Sequence, residues 1–204
     1  MKNWNLTPKK NKSDIFAKIA INKELTSYEV EKNWWINETI IIIFQTRLSS
    51  HMILKGGPMF HKTSNLITNY STDINLFLDI SYYGSQKTVT SSELQTIKNR
   101  LNNYINEQFS PFLEQKFKEK ELNTLIKLKE NNSLENTLFL EIQYKSLLNK
   151  KKHKSQISLK IDYAFNPETN KLKIFPSLIE NHYQDTTLAS KPLKIPCISA
   201  EHVL

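Results

Sequence analysis

The stretch that decides the fold runs from Lys55-Gly56-Gly57 to Tyr70-Ser71-Thr72-Asp73-Ile74-Asn75-Leu76. It holds two of the three glycines in 204 residues, directly after the apolar run 52–54. Glycine this scarce predicts a tight turn, or a backbone that approaches a phosphate, where a side chain would obstruct. From Asp73 onward, apolar residues alternate with others as they do in a half-buried strand. The pattern indicates a strand, a glycine turn and a second strand.

Residues two apart on a strand point to the same face, so Asp73 and Asn75 are expected to share one. Asp162 lies in a second alternating run, and Lys160 lies on the same face as Asp162. A glycine loop beside a strand that carries Asp-x-Asn is typical of a metal-dependent nucleotide site. Two plainer alternatives remain open: that Asp73 only begins a strand, and that Lys160 and Asp162 form the solvent-exposed face of an edge strand.

Three segments resemble AbiEii/AbiGii-type toxin nucleotidyltransferases in order and spacing: Glu31-Lys32-Asn33-Trp34-Trp35-Ile36, Ile53-Leu54-Lys55-Gly56-Gly57, and Ser71-Thr72-Asp73-Ile74-Asn75-Leu76, with Lys62 between the last two. Members of that family typically read Glu-Lys-Asp-Trp, then Lys-Gly-Gly-Thr-Ser-Leu, then Arg-Phe-Ser-Glu-Asp-Ile-Asp-Leu. The similarity is dense from Glu31 to Asp79 and thinner afterwards.

The resemblance implies an α+β fold, with a nucleotidyltransferase-like mixed sheet flanked by helices. It also implies transfer of a nucleotide from an NTP, with Mg²⁺, to an RNA acceptor such as tRNA, and an antitoxin partner. Asp162 would fill the third acidic position of the family. The expected catalytic and metal-binding residues are Asp73, Asn75 and Asp162, and the expected nucleotide-binding residues are Gly56, Gly57, Ser71 and Lys160.

The chain also departs from the family pattern. Pro58 stands where the family has Thr or Ser, which removes a hydroxyl and an amide donor from the phosphate turn. Asn75 replaces the second Asp, and Asn coordinates metal more weakly than a carboxylate does. Asn69 and Asn33 replace an Arg and an Asp. These departures favour an alternative function, a catalytically degenerate or split member that acts as a binding or scaffold protein.

The length suits a single domain spanning 1–204, with a helical part at 1–50 and a core at 51–204. The last residues, 198–204, resemble the start of a helix that continues in the family to an Ala-Glu-Lys motif and an Arg-Asp pair. The helical C-terminal part of the family is therefore expected to be missing. A chain of that kind is expected to be weakly active, and to self-associate or to bind a complementary C-terminal chain.

The lone cysteine, Cys197, excludes an internal disulfide framework and a cysteine zinc cluster. The five histidines show no metal-ligand spacing, so none is assigned to metal. The N-terminus lacks the pattern of a secretion leader, and the apolar run 40–44 is too short to cross a bilayer. We therefore expect a cytoplasmic protein without a membrane partner.

The net charge of +8 favours a polyanionic partner such as RNA. The same composition is also typical of an AT-rich genome, because Lys, Asn and Ile are frequent throughout. A basic nucleic-acid-binding protein without a nucleotide site stays open as a third interpretation.

Capping and periodicity predict a helix at 13–25, opened by a Ser/Asp cap, and a longer one at 27–48 with Ser27 as N-cap. A further helix is expected after Gly57. The signature Thr90-Ser91-Ser92-Glu93 predicts a fourth, which reaches about residue 119 and is interrupted near Pro111. Alternation predicts strands at 51–54, 73–80, 137–147 and 155–165, and shorter ones at 172–175 and 193–198. Residues 149–154 read as a basic hairpin tip. The four longer strands are expected in one sheet, with Asp73 and Asp162 on adjacent strands of the same face and within about 10 Å of each other.

Overall fold

The structure, a computed structural model, describes residues 8–55, 73–83, 90–129, 136–148, 155–164, 170–173 and 194–197. The α-helices in these ranges are α1 (Lys9–Lys23), α2 (Ser27–Ile43), α3 (Ser91–Tyr104) and α4 (Ser110–Glu119). A π-helical turn, Ile105–Phe109, joins α3 to α4. The strands are β1 (Met52–Lys55), β2 (Asp73–Asp79), β3 (Thr124–Lys129), β4 (Thr137–Tyr144), β5 (Gln156–Ala164), β6 (Asn170–Lys173) and β7 (Lys194–Cys197).

These strands form one sheet, in the order β3-β4-β5-β2-β1-β7-β6. β2 pairs with β5 in parallel and β1 with β7 in parallel, and the other neighbours are antiparallel. The prediction of an α+β fold with a mixed sheet is therefore confirmed. The prediction that the four longer strands share one sheet is confirmed as well. β3 is an additional strand at one edge, which the sequence patterns had not indicated.

Two helix starts differ from the prediction. Ser13 and Asp14 were expected to cap the first helix, but they lie inside α1, whose N-cap position is Pro8. Proline has its φ angle fixed near the helical value and cannot donate an amide hydrogen, so a helix start accommodates it at little cost. The N-cap of α2 is Thr26 rather than Ser27, because the Thr26 and Glu29 side chains form a capping box.

A third predicted start is confirmed: Thr90 caps α3 in a capping box with Glu93. The helix predicted after Gly57 lies outside the described residues. The interruption near Pro111 is confirmed too, since the helix passes through the π-helical turn just before that proline. A proline cannot donate to the carbonyl of the preceding turn, and a locally widened helix relieves that conflict.

One face of the sheet is apolar and packs against the helices. Every second residue of β2 and β4 is buried, and α2 contacts both β2 and α4. Trp35 of α2 lies at the centre of this core, stacked on Tyr144 with 4.6 Å between ring centroids. Trp34 and Trp35 are 4% and 1% exposed, so both belong to the core and neither offers a platform for a base.

Glu31 of α2 is a fully buried carboxylate that binds the segment following β4. Its oxygens accept hydrogen bonds from the backbone N–H of Leu147 at 2.6 Å and from the Ser146 hydroxyl at 2.7 Å. A buried carboxylate is costly unless it is hydrogen-bonded, so this contact fixes the end of β4 against the helix.

We expect Glu31→Ala to lower the free energy of unfolding by about 1–3 kcal/mol, because it leaves the partly buried N–H of Leu147 without its acceptor. Urea denaturation followed by circular dichroism measures the change. Glu107→Ala, at an exposed position of the π-helical turn, is the control and should change the stability by less than about 0.5 kcal/mol. Equal stability of the two variants would contradict this role for Glu31.

Candidate active site on the polar face of the sheet

The second face of the sheet is polar, and the strand register shows which residues lie side by side on it. Cross-strand partners point to the same face. Lys55 pairs with Asn75, and Asn75 pairs with Lys160, which forms one row across β1, β2 and β5. Asp162 lies one step along, in a row with Phe77 and Thr137. We call this surface the polar face: Lys55, Asp73, Asn75, Phe77, Asp79, Thr137, Phe139, Glu141, Ser158, Lys160 and Asp162.

Asp162 is a carboxylate of the polar face that contacts three neighbouring side chains. One of its oxygens, Oδ2, forms an ion pair with the Nζ of Lys55. The other, Oδ1, accepts a hydrogen bond from the Thr137 hydroxyl at 2.7 Å and lies 3.4 Å from the Nζ of Lys160. The Lys55 ammonium also lies 4.1 Å from the centre of the Phe77 ring, within cation–π range.

The ionisation of Asp162 follows from these contacts. Burial alone would raise the pKa of Asp162, because it disfavours the charged form. The hydrogen bonds from Lys55 and Thr137, together with the positive charges of Lys55 and Lys160, outweigh burial and hold the pKa below its usual value. Asp162 is therefore a carboxylate at neutral pH, and it is compensated by cations of the protein itself.

Asp73 and Asn75 lie at the start of β2. Asp73 is exposed, and Asn75 is partly buried on the same face, as expected from their spacing. Asp73 and Asp162 lie on adjacent parallel strands and on one face, so this part of the prediction is confirmed. Their expected closeness is not found. Asp73 pairs with Ser158, four residues before Asp162, an offset of about 13 Å along the strand.

Lys32 of α2 interacts electrostatically with this end of the site. Burial lowers the pKa of Lys32, and the negative charge of nearby Asp73 opposes that change. A half-buried ammonium beside an exposed carboxylate is a local charge pair at the point where β2 begins. The helix that holds the core therefore also supplies a cation to the candidate site.

The profile of the family described as "Nucleotidyl transferase AbiEii toxin, Type IV TA system" matches residues 43–204, well over half of the chain. The chain belongs to this family. The resemblance of its motifs to AbiEii-type toxins is thereby confirmed, and a toxin–antitoxin family implies an antitoxin as partner. No curated protein matches the chain in a sequence comparison. None of the helices in the described ranges has the length and apolar character needed to cross a bilayer.

The site can be tested for its fit to a divalent metal of an AbiEii nucleotidyltransferase. Within the described ranges, no three His, Cys, Asp or Glu side chains converge. Asp73 and Asn75 fit a Mg²⁺ ion that takes its other ligands from phosphates and water, since they offer a carboxylate and an amide oxygen on one face. Asp162 does not fit the same ion. It lies too far from Asp73, and both of its oxygens already have partners in Lys55 and Thr137.

Three of the expected nucleotide-binding residues, Gly56, Gly57 and Ser71, lie outside the described residues, as does Pro58. Conversely, the structure adds three residues to the site that the sequence had not assigned to it: Lys55, Lys32 and Thr137. Lys55 and Lys32 stand inside the motif segments that carry the family resemblance, so a signal was present for both. Thr137 gave no signal, because only the pairing of β4 with β5 brings it beside Asp162.

A double-mutant cycle measures the ion pair between Lys55 and Asp162. With Lys55→Met, Asp162→Asn and the double variant, we expect a coupling energy of about 1 kcal/mol or more in the free energy of unfolding, since both side chains are largely shielded from water. The surface pair Lys116–Glu119 on α4 is the control, and its cycle should show no measurable coupling. Equal coupling in the two cycles would show that the Lys55–Asp162 contact is no stronger than a surface ion pair.

Proposed function

We propose that this AbiEii-family protein transfers a nucleotide from an NTP to an RNA acceptor, tRNA-like in kind, as the toxin of a toxin–antitoxin system. The observation that carries the proposal is the polar face itself. In a chain that belongs to the AbiEii family, Asp73 and Asn75 share that face with three cationic or carboxylate groups: Lys55, Lys160 and Asp162.

Nucleotidyl transfer requires little covalent chemistry from the protein. The residues must hold the triphosphate, place the acceptor hydroxyl and compensate the charge that develops on the phosphates. In our proposal, Lys160 contacts a phosphate from the polar face. The amides of Gly56 and Gly57 form the phosphate turn, and Ser71 donates a hydrogen bond across it.

Asp73 and Asn75 would hold a Mg²⁺ ion, which supplies charge compensation at the phosphates when it is bound. Asp73 contributes the only full negative charge of this pair. Because Asn75 coordinates through a neutral carbonyl oxygen, we expect the protein to bind Mg²⁺ weakly. The ion would take its remaining ligands from the phosphates of the NTP. Asp73 is then the main ligand that the protein supplies to the Mg²⁺ ion.

The proposed acceptor and partner follow from charge and family. A chain with a net charge of +8 attracts a polyanion such as RNA before any specific contact forms. The antitoxin would restrain the activity in the cytoplasm, where NTP and tRNA are both present. Self-association of the chain is a further proposal that size-exclusion chromatography tests directly.

A second function, binding without catalysis, is favoured by two specific observations. Asn75 removes one negative charge from the expected metal site, and Asp162 is held by Lys55 and Thr137 instead of facing a metal. A chain of this kind would still bind nucleotide or RNA, but it would transfer nothing. The transfer assay below separates the two functions.

We expect the purified protein to label RNA from α-³²P-NTP in the presence of Mg²⁺, and Asp73→Ala to abolish both the labelling and the Mg²⁺-dependent part of NTP binding. The physical reason is the loss of the carboxylate that is proposed to hold the metal. EDTA should have the same effect as the substitution. Asp14→Ala, at an exposed position of α1, is the control and should retain full labelling.

NTP binding without any labelling of RNA would favour the binding protein. Labelling that persists in Asp73→Ala would contradict the assignment of Asp73, and labelling that persists in EDTA would contradict the metal dependence.

A further inference from the structure

Asp162 is the meeting point of two lysines that come from different strands. Lys55 ends β1, Lys160 lies on β5, and the two ammonium groups contact opposite oxygens of the one carboxylate. Thr137 donates a further hydrogen bond to the oxygen that Lys160 faces. One negative charge thus holds two positive charges, and the cluster keeps a net charge of +1.

The exposure of the three side chains shows which of them meets a ligand first. The Asp162 side chain is 13% exposed, whereas Lys55 and Lys160 are 24% and 36% exposed. The carboxylate therefore lies beneath the two ammonium groups. An ammonium has three N–H donors, and one contact to Asp162 leaves donors for a second acceptor. A ligand that approaches the polar face meets the cations before the carboxylate.

The register gives position 75 a special place in this arrangement. Asn75 pairs with Lys55 on one side and with Lys160 on the other, so it lies directly between the two lysines. Directly opposed residues have Cβ atoms about 5 Å apart. A carboxylate at this position would compete with any anion for both ammonium groups. The neutral amide leaves their charge to a ligand.

We propose that Lys55 and Lys160 together bind the phosphate chain of the nucleotide, and that Asp162 is a positioning residue that holds both ammonium groups instead of a metal ligand. The inference rests on the proposed function in naming the ligand as a nucleoside triphosphate. Lys55 then joins Lys160 as a phosphate-binding residue, Asp162 positions the two cations rather than a metal, and an uncharged residue at position 75 suits the site.

Inorganic tripolyphosphate, titrated calorimetrically in EDTA at low ionic strength, tests the pair of lysines without any metal. We expect the wild-type protein to bind it, and Lys55→Met and Lys160→Met each to weaken the binding about tenfold, as the loss of one charge-assisted contact predicts. Lys127→Met, at an exposed position of β3, is the matched control and should bind within about twofold of the wild type. Lys55→Arg should retain binding, because the cation is kept.

Asn75→Asp tests the charge between the lysines. The proposal expects this variant to bind tripolyphosphate more weakly in EDTA, by about tenfold, since the new carboxylate competes for both ammonium groups. If Asn75 acted only as a metal ligand, Asn75→Asp would leave the binding of tripolyphosphate in EDTA unchanged.

Mn²⁺ titration followed by electron paramagnetic resonance tests the role of Asp162 without activity as a readout. We expect Asp162→Asn to leave Mn²⁺ affinity unchanged and Asp73→Asn to reduce it. Circular dichroism and thermal melting show whether each variant is folded, and Asp162→Glu keeps the charge should the amide variant be unfolded.

The proposal is overturned if the wild type does not bind tripolyphosphate, if Lys55→Met binds it as the control does, or if Asp162→Asn in folded form loses Mn²⁺. If only the proposed function is wrong, the result is different: tripolyphosphate binding still depends on Lys55, but no nucleotide is transferred to RNA.

Discussion

The parallel pairing of β2 with β5 is the contact on which the rest of the site depends. Both strands lie inside the sheet, and each has neighbours on either side, so their register is fixed by hydrogen bonds and by the apolar residues beneath. If β2 shifted by one residue against β5, Asn75 would turn into the core and Ile74 would come to the surface. The placement of Asp73, Asn75, Lys160 and Asp162 relative to one another therefore follows from this register.

Helix α2 connects the core to both ends of that arrangement. Its consecutive residues Glu31 and Lys32 have different tasks: the carboxylate binds the end of β4, while the ammonium lies near Asp73 at the start of β2. Trp35, one turn further, anchors the same helix through its stack on Tyr144. Packing energy from the apolar side of the sheet is thus what keeps charged groups in place on the other side.

Sequence patterns predicted which strands share the sheet and which residues share a face, but they did not predict the register between distant strands. Alternation placed Asp73 and Asn75 on one face, and the signature at Thr90 and Glu93 predicted a helix start, because both depend on near neighbours in the chain. The distance between Asp73 and Asp162 depends on a register that no local pattern encodes. The edge strand β3 was missed since it alternates weakly, with Ile126 as its one buried residue. Lys55 was assigned to a turn motif, although its side chain pairs with Asp162.

The long sequence separation between β2 and β5 also determines when their pairing can form during synthesis and folding. The paired residues Asp73 and Ser158 are about 85 positions apart, so the centre of the sheet closes only after a long segment has been synthesised. Pairings of such high contact order form late and slowly, whereas α2 and the β4–β5 hairpin rely on closer neighbours. A nascent chain that has not yet reached Asp162 has no assembled polar face.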